Sequence, residues 1–484
     1  MAARLTAFVV AAIVAITFVA GLIVGAQRED ESGPIDLIVY NGRIYVGDPA
    51  KGFAEAMAVR GNRIMRVGST HDIRRFMRRA TTLIDAKGGS VLPGFNDAAL
   101  DLFAEGYELD AVRQTIASAH SVGLTSAHVV LRSADDLTLL EDLEKRGELT
   151  LRVSASLTAT LPIDAAEVDR LEAIRRLHPG DALLKVASVR LVVPVGGIAP
   201  VAVKPPVAAT AATAGTAAAS PGHHPRAKKP AAPVVVINAD NLATAIAMLD
   251  QHNWQVIVAP ADAAGVEMTL AAFTAALNTP RVENTPRRHR IELPAPLDAT
   301  TSAQFDALGI IQSFQTAAAP AIEPAAEAAP EATAAPSATA VAATSAPEGG
   351  VPPSSPGQAP THAAISTRAI FRSDWPARPL DPRITLAAAV AAEPEASATE
   401  RAAWLAGAID AYTARAAYAS FDETRKGTIA KDMLADFVIF TADLFAPKRD
   451  TPISDAAITA TVVNGRIVFN ATQTKPAPTL STAP

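Results

Sequence analysis

The chain has 484 residues, 49% of them hydrophobic, and a formal net charge of −6. This length suits a large domain with a smaller partner domain, and the mild negative charge excludes a general nucleic-acid binder, which needs a basic face. The sequence contains no cysteine, which excludes disulfides, zinc sites built on thiolates and cysteine nucleophiles.

The N-terminus carries an uncharged run at residues 5–26, which follows Arg4 and precedes an acidic stretch that begins at Glu29. As a helix with a rise of about 1.5 Å per residue, this run spans roughly 33 Å, about the thickness of a bilayer core. We therefore predict that residues 1–30 form a membrane anchor or a cleaved signal segment. Because the positive flank stays in the cytoplasm, we expect the remainder on the periplasmic side, or secreted if the segment is cleaved.

Short strands with alternating apolar residues are predicted near both ends of the chain. The turn signals between them are Asn41-Gly42, Gly61-Asn62 and Asn464-Gly465, each of a type that favours β-hairpins. We predict a small β-sandwich assembled from residues 34–88 and 421–470, followed by a disordered tail at residues 471–484.

Strands alternate with amphipathic helices between these two ends. Buried strands are predicted at residues 123–130, 151–159, 183–193, 255–259, 289–294, 309–315 and 369–374. The helix predicted at residues 241–253 places Leu242, Ile246 and Leu249 on one face. Repeated strand–helix units imply parallel strands, so the predicted fold class is α/β, a complete or reduced TIM-like (β/α)8 barrel over residues 89–420.

Two stretches, residues 196–233 and 316–362, are rich in Ala, Pro, Thr and Ser. Such composition cannot bury enough apolar surface to offset chain entropy. We predict that both are disordered or extended insertions, and that His223 and His224 in the first belong to a solvated basic cluster.

Three further segments occur in a telling order: SVLPGFND at residues 90–97, RHRIELPA at residues 288–295 and SDWP at residues 373–376. In that order they resemble the start of the first barrel strand, a later strand and the aspartate-carrying strand of the amidohydrolase superfamily. The most similar branch is amidohydrolase family 3, which contains the N-substituted formamide deformylases, and the likeness runs from about residue 34 to residue 470. It implies a zinc or other divalent ion held by imidazoles, a barrel lysine and an aspartate, which activates water.

The resemblance also implies where those ligands should lie. The four histidine positions fall at Ala99, Asp101, Ala259 and Leu293, whereas Lys185 and Asp374 match the metal-bridging lysine and the late aspartate. Alanine and leucine offer no lone pair, and zinc in proteins is bound by Cys, His, Asp or Glu. We therefore expect no catalytic residue, no bound metal and no cofactor, with Asp101, Lys185 and Asp374 as vestiges of the site.

Other polar residues have structural or functional interpretations. Lys185 and Asp374 are predicted to form a buried ion pair, because a buried lysine alone is costly; the pair is either mutual charge compensation or a vestigial site reused for a ligand. Asp97 is assigned to the frame of the barrel. Among the histidines, His128 on the second barrel strand is either a candidate ligand or a satisfied histidine of the core or rim, and His120 lies on the helix before Gly123. Structural roles are predicted for His178, His252 and His289.

Three functions remain open from the sequence. The first is a catalytically inactive relative of the hydrolases that binds a protein partner or small ligand at the membrane, or persists as a scaffold. The second is a metal-dependent hydrolase that acts on non-peptide C–N bonds with a non-standard site. The third is an envelope spacer or interaction protein whose Ala/Pro-rich segments are the working part.

Overall fold

The computed structural model describes residues 33–47, 52–179, 183–200, 234–278, 285–315, 368–391, 396–446 and 452–472. The predicted membrane segment at residues 1–30 lies outside these ranges, as do residues 201–233 and 316–367, which make up most of the predicted insertions. The part of the chain that is described contains no helix long and apolar enough to span a membrane.

The first part of the chain forms seven short strands and one helix. They are β1 (Leu37–Tyr40), β2 (Arg43–Tyr45), β3 (Phe53–Ala54), β4 (Ala56–Arg60), β5 (Arg63–Gly68), α1 (Thr70–Arg74), β6 (Thr82–Asp85) and β7 (Ser90–Pro93). The strands β5-β4-β1-β6 form a four-stranded sheet in that order.

The middle of the chain alternates between strands and helices. The elements are β8 (Phe95–Leu100), α2 (Leu109–Ser121), β9 (Leu124–Leu131), α3 (Ala134–Lys145), β10 (Arg152–Ala159), α4 (Ala165–Leu177), β11 (Leu184–Val193), β12 (Ile198–Pro200), β13 (Val234–Val236), α5 (Ala239–Gln251), β14 (Gln255–Pro260), α6 (Ala263–Leu277), β15 (Arg290–Leu293), α7 (Ala299–Ala307), β16 (Ile311–Gln315) and β17 (Ala369–Arg372). Three helices follow: α8 (Pro382–Ala391), α9 (Ala398–Tyr412) and α10 (Ala414–Ala419).

Eight of these strands form one parallel sheet in the order β17-β16-β15-β14-β11-β10-β9-β8. The sheet curves until its first and last strands meet: Asp374 N donates to Ala99 O at 2.9 Å, and a parallel bridge joins Leu100 to Trp375. The predicted TIM-like barrel is therefore confirmed. On α5, the predicted apolar face of Leu242, Ile246 and Leu249 is buried.

The amino-terminal mouth of the barrel is covered by α10. Ala416 and Ala419 of this helix form a buried cluster with Ala98, Ile311 and Ile370, which lie on three strands of the barrel. Small side chains on the helix allow it to approach the strand ends closely, so that the side of this mouth formed by β8, β16 and β17 is packed by the chain itself.

The end of the chain adds β18 (Phe437–Phe440), β19 (Ile458–Val463) and β20 (Arg466–Asn470). These strands join earlier ones in a six-stranded sheet of order β20-β19-β18-β7-β2-β3, so both ends of the chain build one sheet. It shares a buried apolar cluster with the four-stranded sheet, for example Ile44 and Phe437 against Val39 and Met57.

Two of the three predicted hairpin turns are confirmed and one is wrong. β4 pairs with β5 and β19 with β20 in antiparallel fashion across the predicted turns. By contrast, β1 and β2 flank Asn41-Gly42 but lie in different sheets. Asn41 has a φ of 54°, and this left-handed conformation turns the chain from one sheet to the other.

Candidate functional site

The carboxyl ends of the barrel strands form the mouth at which enzymes of this fold carry their chemistry. Ala99 and Ala259 lie one residue before the ends of β8 and β14, and Leu293 ends β15. Asp101 directly follows β8, and Asp374 follows β17. Five of the six positions that the sequence singled out therefore lie at this mouth, which we call the carboxyl mouth.

Lys185 is the exception, and its predicted position is wrong. It is the second residue of β11, at the amino-terminal end, whereas the residue of β11 opposite Ala259 is Val192. At roughly 3.3 Å per residue, Lys185 lies about 20 Å further down the strand. Its ammonium group donates to Asp422 Oδ2 at 2.6 Å, so the predicted ion pair with Asp374 is also wrong.

Arginine side chains occupy the barrel interior near the carboxyl mouth. Ile291 and Leu293 of β15 belong to the large apolar cluster, and side chains alternate along a strand, so Arg290 and Glu292 point the other way, into the barrel. Arg190 Nε, on β11, donates to Glu292 Oε2 at 2.8 Å. Burial by itself raises the pKa of the Glu292 carboxyl group, but Arg190 and the other nearby cations together outweigh it, so the pKa is lowered.

Arg372, the last residue of β17, lies between two of the expected ligand positions. Its Nη2 donates to the backbone oxygen of Leu293 at 2.8 Å, and its Nη1 contacts the carboxylate of Asp374. Gln315 Nε2 donates to the same carboxylate at 2.8 Å. Burial lowers the pKa of Arg372 to about 10, so the guanidinium remains charged at neutral pH.

His128 lies deep in the barrel, where Arg290 Nη1 is 2.8 Å from its Nδ1. Arginine is only a donor, so Nδ1 must accept this bond and the imidazole carries its proton on Nε2. Burial, followed by the charge of Arg290, holds the pKa of His128 well below its usual range. The ring is neutral, and the lone pair on Nδ1 is already engaged.

Four further histidines, three of them with predicted structural roles, have partners elsewhere in the fold. His289 is fully buried, with Asp250 Oδ1 3.0 Å from its Nε2. His178 and His252 follow the last residues of α4 and α5 and contact carboxylates, at 3.1 Å and 2.7 Å. His120 is buried against Leu124 O and Thr150, and burial lowers its pKa to about 4.

Asp97 joins the first and last strands of the barrel. Its Oδ1 accepts from the backbone nitrogens of Ala99 at 2.9 Å and Ser373 at 3.0 Å. Burial raises the pKa of this carboxyl group to about 6, although these hydrogen bonds act in the opposite direction. These contacts agree with the predicted structural role of Asp97 in the barrel.

Asp101 is engaged by groups other than the interior arginines. Its Oδ1 accepts from Phe103 N at 2.9 Å, and its Oδ2 lies 3.3 Å from Arg132 Nη1. Across the described ranges, no group of three or more His, Asp or Glu side chains is arranged to hold a metal ion.

Sequence reasoning missed the interior network of Arg190, Arg290, Glu292 and Arg372. A signal was present, since each arginine interrupts an apolar strand: SVRLVV at residues 188–193, HRIELP at residues 289–294 and IFRSDW at residues 370–375. Because successive side chains of a strand point to opposite faces, each arginine could have been placed on the face of its strand that its apolar neighbours do not occupy.

Comparison with solved structures agrees with the barrel. An adenosine deaminase from Xanthomonas campestris with bound zinc superimposes with a TM-score of 0.55 at 16% identity, covering 90% of this chain and 93% of that one. An uncharacterized metal-dependent hydrolase from Pyrococcus furiosus gives 0.54 at 15% identity, covering 85% and 100%. A molinate hydrolase gives 0.53 at 12% identity, covering 93% and 100%. At these identities the likeness concerns the fold.

Comparison of sequences identifies the family. The protein LONG AFTER FAR-RED 3 from Arabidopsis thaliana is 35% identical over 77 residues, which are 16% of this chain and only 13% of the plant protein. The sequence model of the amidohydrolase family matches residues 98–469, well over half of the chain. This chain therefore belongs to the amidohydrolase family.

Proposed function

We propose that this chain is a non-catalytic member of the amidohydrolase family, whose barrel serves as a scaffold for binding. The observation that carries the proposal is the position of Arg372. Its guanidinium joins the backbone of Leu293 to the carboxylate of Asp374, two positions at which the resemblance expects metal ligands.

The side chains at the carboxyl mouth do not fit a divalent metal ion. Ala99 and Ala259 offer no donor atom, and Asp374 is engaged by Arg372 and Gln315. Two like unit charges 4 Å apart repel by about 4 kcal/mol at an effective dielectric constant of 20, and a divalent ion beside a guanidinium doubles that figure. The arginine thus supplies the positive charge that the aspartate needs.

Metal binding by the purified full-length chain tests this proposal. After incubation with equimolar zinc or manganese and gel filtration, we expect less than about 0.1 ion per chain by elemental analysis, and no hydrolysis of N-acyl amino acids or formamides. His71 is exposed, and a His71→Ala variant identifies metal held adventitiously at the surface. About one retained ion per chain in both proteins, together with hydrolysis that a chelator abolishes, would overturn the proposal.

The location of the protein is a second part of the proposal. The uncharged run at residues 5–26 supports an anchor that holds the barrel on the periplasmic side, where a protein partner or a small ligand would bind. A C-terminal phosphatase reporter that folds only outside the cytoplasm should be active on the full chain and inactive when residues 1–30 are deleted. Equal activity of the two fusions would contradict this placement.

A further inference from the structure

A small cavity opens at the amino-terminal end of the barrel, away from the carboxyl mouth. Its polar lining comes from Arg152, Ser154, Lys185, Asp422, Arg425 and Lys426. Strands β10 and β11 supply the first three residues, and the segment after α10 supplies the others. Four cationic side chains and one carboxylate therefore surround this space.

Pairing does not balance these charges. Arg152 is bound to Asp436, which lies outside the lining, with Nη2 3.2 Å from Oδ1. Asp422 is then shared: Lys185 Nζ lies 2.6 Å from it, whereas Lys426 Nζ lies 3.8 Å away. The next carboxylate along the chain, Glu423, is engaged by Arg288 at 2.5 Å. Even if Arg425 is not counted, the ammonium groups of Lys185 and Lys426 share the single carboxylate of Asp422, so one positive charge is left over.

Two buried polar groups are left to interact with something in the cavity. Lys426 is only 6% exposed, and its distance to Asp422 exceeds that of a hydrogen bond. Ser154 is 4% exposed, and its Oγ has no hydrogen-bond partner among the described residues. Ser154 lies opposite Lys185 in the register of β10 and β11, so its hydroxyl is close to the lysine. Burial lowers the pKa of Lys426 to about 8. A bound anion would offset the free-energy cost of burying the charged ammonium group.

We propose that this cavity binds a phosphate group, held by the ammonium groups of Lys185 and Lys426 and by the hydroxyl of Ser154. A phosphoryl group carries about −1.5 to −2 charges at pH 7, so it is attracted by the excess positive charge that Lys185 and Lys426 leave over Asp422. Its oxygens accept hydrogen bonds from ammonium and hydroxyl donors, and such charge-assisted bonds are the strong ones. The site does not depend on whether the carboxyl mouth is catalytic.

Thermal unfolding and calorimetric titration of the full-length chain test the site. We expect inorganic phosphate to raise Tm in a saturable way at constant ionic strength, whereas chloride does not. Glycerol phosphate forms a second arm: equal or tighter binding identifies a phosphate monoester as the ligand class, and binding of inorganic phosphate alone identifies the free ion. No saturable effect of either compound would overturn the proposal.

Variants separate this site from general attraction of anions. Lys426→Met should weaken phosphate binding at least tenfold, and Ser154→Ala, which changes little volume, should weaken it severalfold while the protein stays folded. Lys145→Met is the matched control, because Lys145 is 68% exposed and its partner is Glu141. If Ser154→Ala and Lys145→Met bind phosphate as tightly as the unmodified chain, the assigned site is wrong even when Lys426→Met fails to fold.

Discussion

Arg290 and His128 meet inside the barrel, with Nη1 of the arginine 2.8 Å from Nδ1 of the histidine. Both side chains are buried, and Arg290 also donates to the backbone oxygen of Ala98 at 2.6 Å. A histidine that the sequence offered as a candidate ligand therefore serves as the acceptor for a buried cation.

Replacing His128 should destabilise the fold. His128→Leu leaves a buried guanidinium N–H without its acceptor, which typically costs about 1–3 kcal/mol. Urea unfolding at pH 7 measures the change, with His71→Leu as the exposed control, for which we expect less than about 0.5 kcal/mol. Equal stability of the two variants would show that the Arg290 contact contributes nothing.

Removing Arg372 should have a larger effect. In Arg372→Met the carboxylate of Asp374 loses its buried cation, and breaking one partner of such a pair costs about 3–5 kcal/mol. Arg170→Met is the matched control, because Arg170 is 49% exposed and its partner is Glu167 on the same helix. Adding Asp374→Asn to Arg372→Met should restore part of the lost free energy of unfolding. A double variant less stable than Arg372→Met would contradict the pairing.

The carboxyl group of Asp97 should make stability depend on pH. Its pKa is about 6 in the folded chain, against an ordinary value of 3.8. The folded state thus binds more protons between these two values, and stability falls as the pH rises through that window. The fall should be about 3 kcal/mol, at 1.36 kcal/mol per pKa unit.

Asp97→Asn isolates this effect, because asparagine keeps an oxygen acceptor for the two backbone N–H groups but does not titrate. The free energy of unfolding of both proteins at pH 4 and pH 7 gives the difference. Parallel pH profiles for the two proteins would show that Asp97 does not titrate in this range.

Deleting the first insertion should leave the barrel intact. β12 and β13 pair in antiparallel fashion, with Pro200 opposite Val234, so the described chain leaves and returns at one point. Replacing residues 201–233 by Asn-Gly closes that hairpin with a favoured turn, and we expect the free energy of unfolding to change by less than about 1 kcal/mol, because loop closure depends weakly on length. A loss above about 3 kcal/mol would show that the insertion packs on the barrel.

The strands were predictable from the sequence because each is a short apolar run bounded by turn residues. The run predicted at residues 183–193 is β11, Leu184–Val193. The position of Lys185 along β11 was not predictable from such runs, because the local sequence does not show which residues of a long strand lie at the carboxyl mouth. That depends on the pairing of Ser188 with Gln255 on the neighbouring strand, which is a long-range contact.

The contacts of the candidate site were harder to predict than its location. Ala99, Ala259 and Leu293 lie at the carboxyl mouth as expected, because family motifs mark strand ends. The partner of Asp374 was predicted wrongly, because sequence spacing does not show which of several buried cationic side chains contacts its carboxylate. Arg372, two residues before it, makes the contact.

The hydrogen bond between Asp97 and Ser373 spans 276 residues of chain. At a translation rate of about 5–20 residues per second, β17 emerges from the ribosome roughly 14–55 s after β8, the strand with which it closes the barrel. The interval between the synthesis of β7 and that of its partner β18 is longer still. Until then the nascent protein exposes unpaired strand edges, which are prone to aggregation, so we expect chaperones to bind it during synthesis.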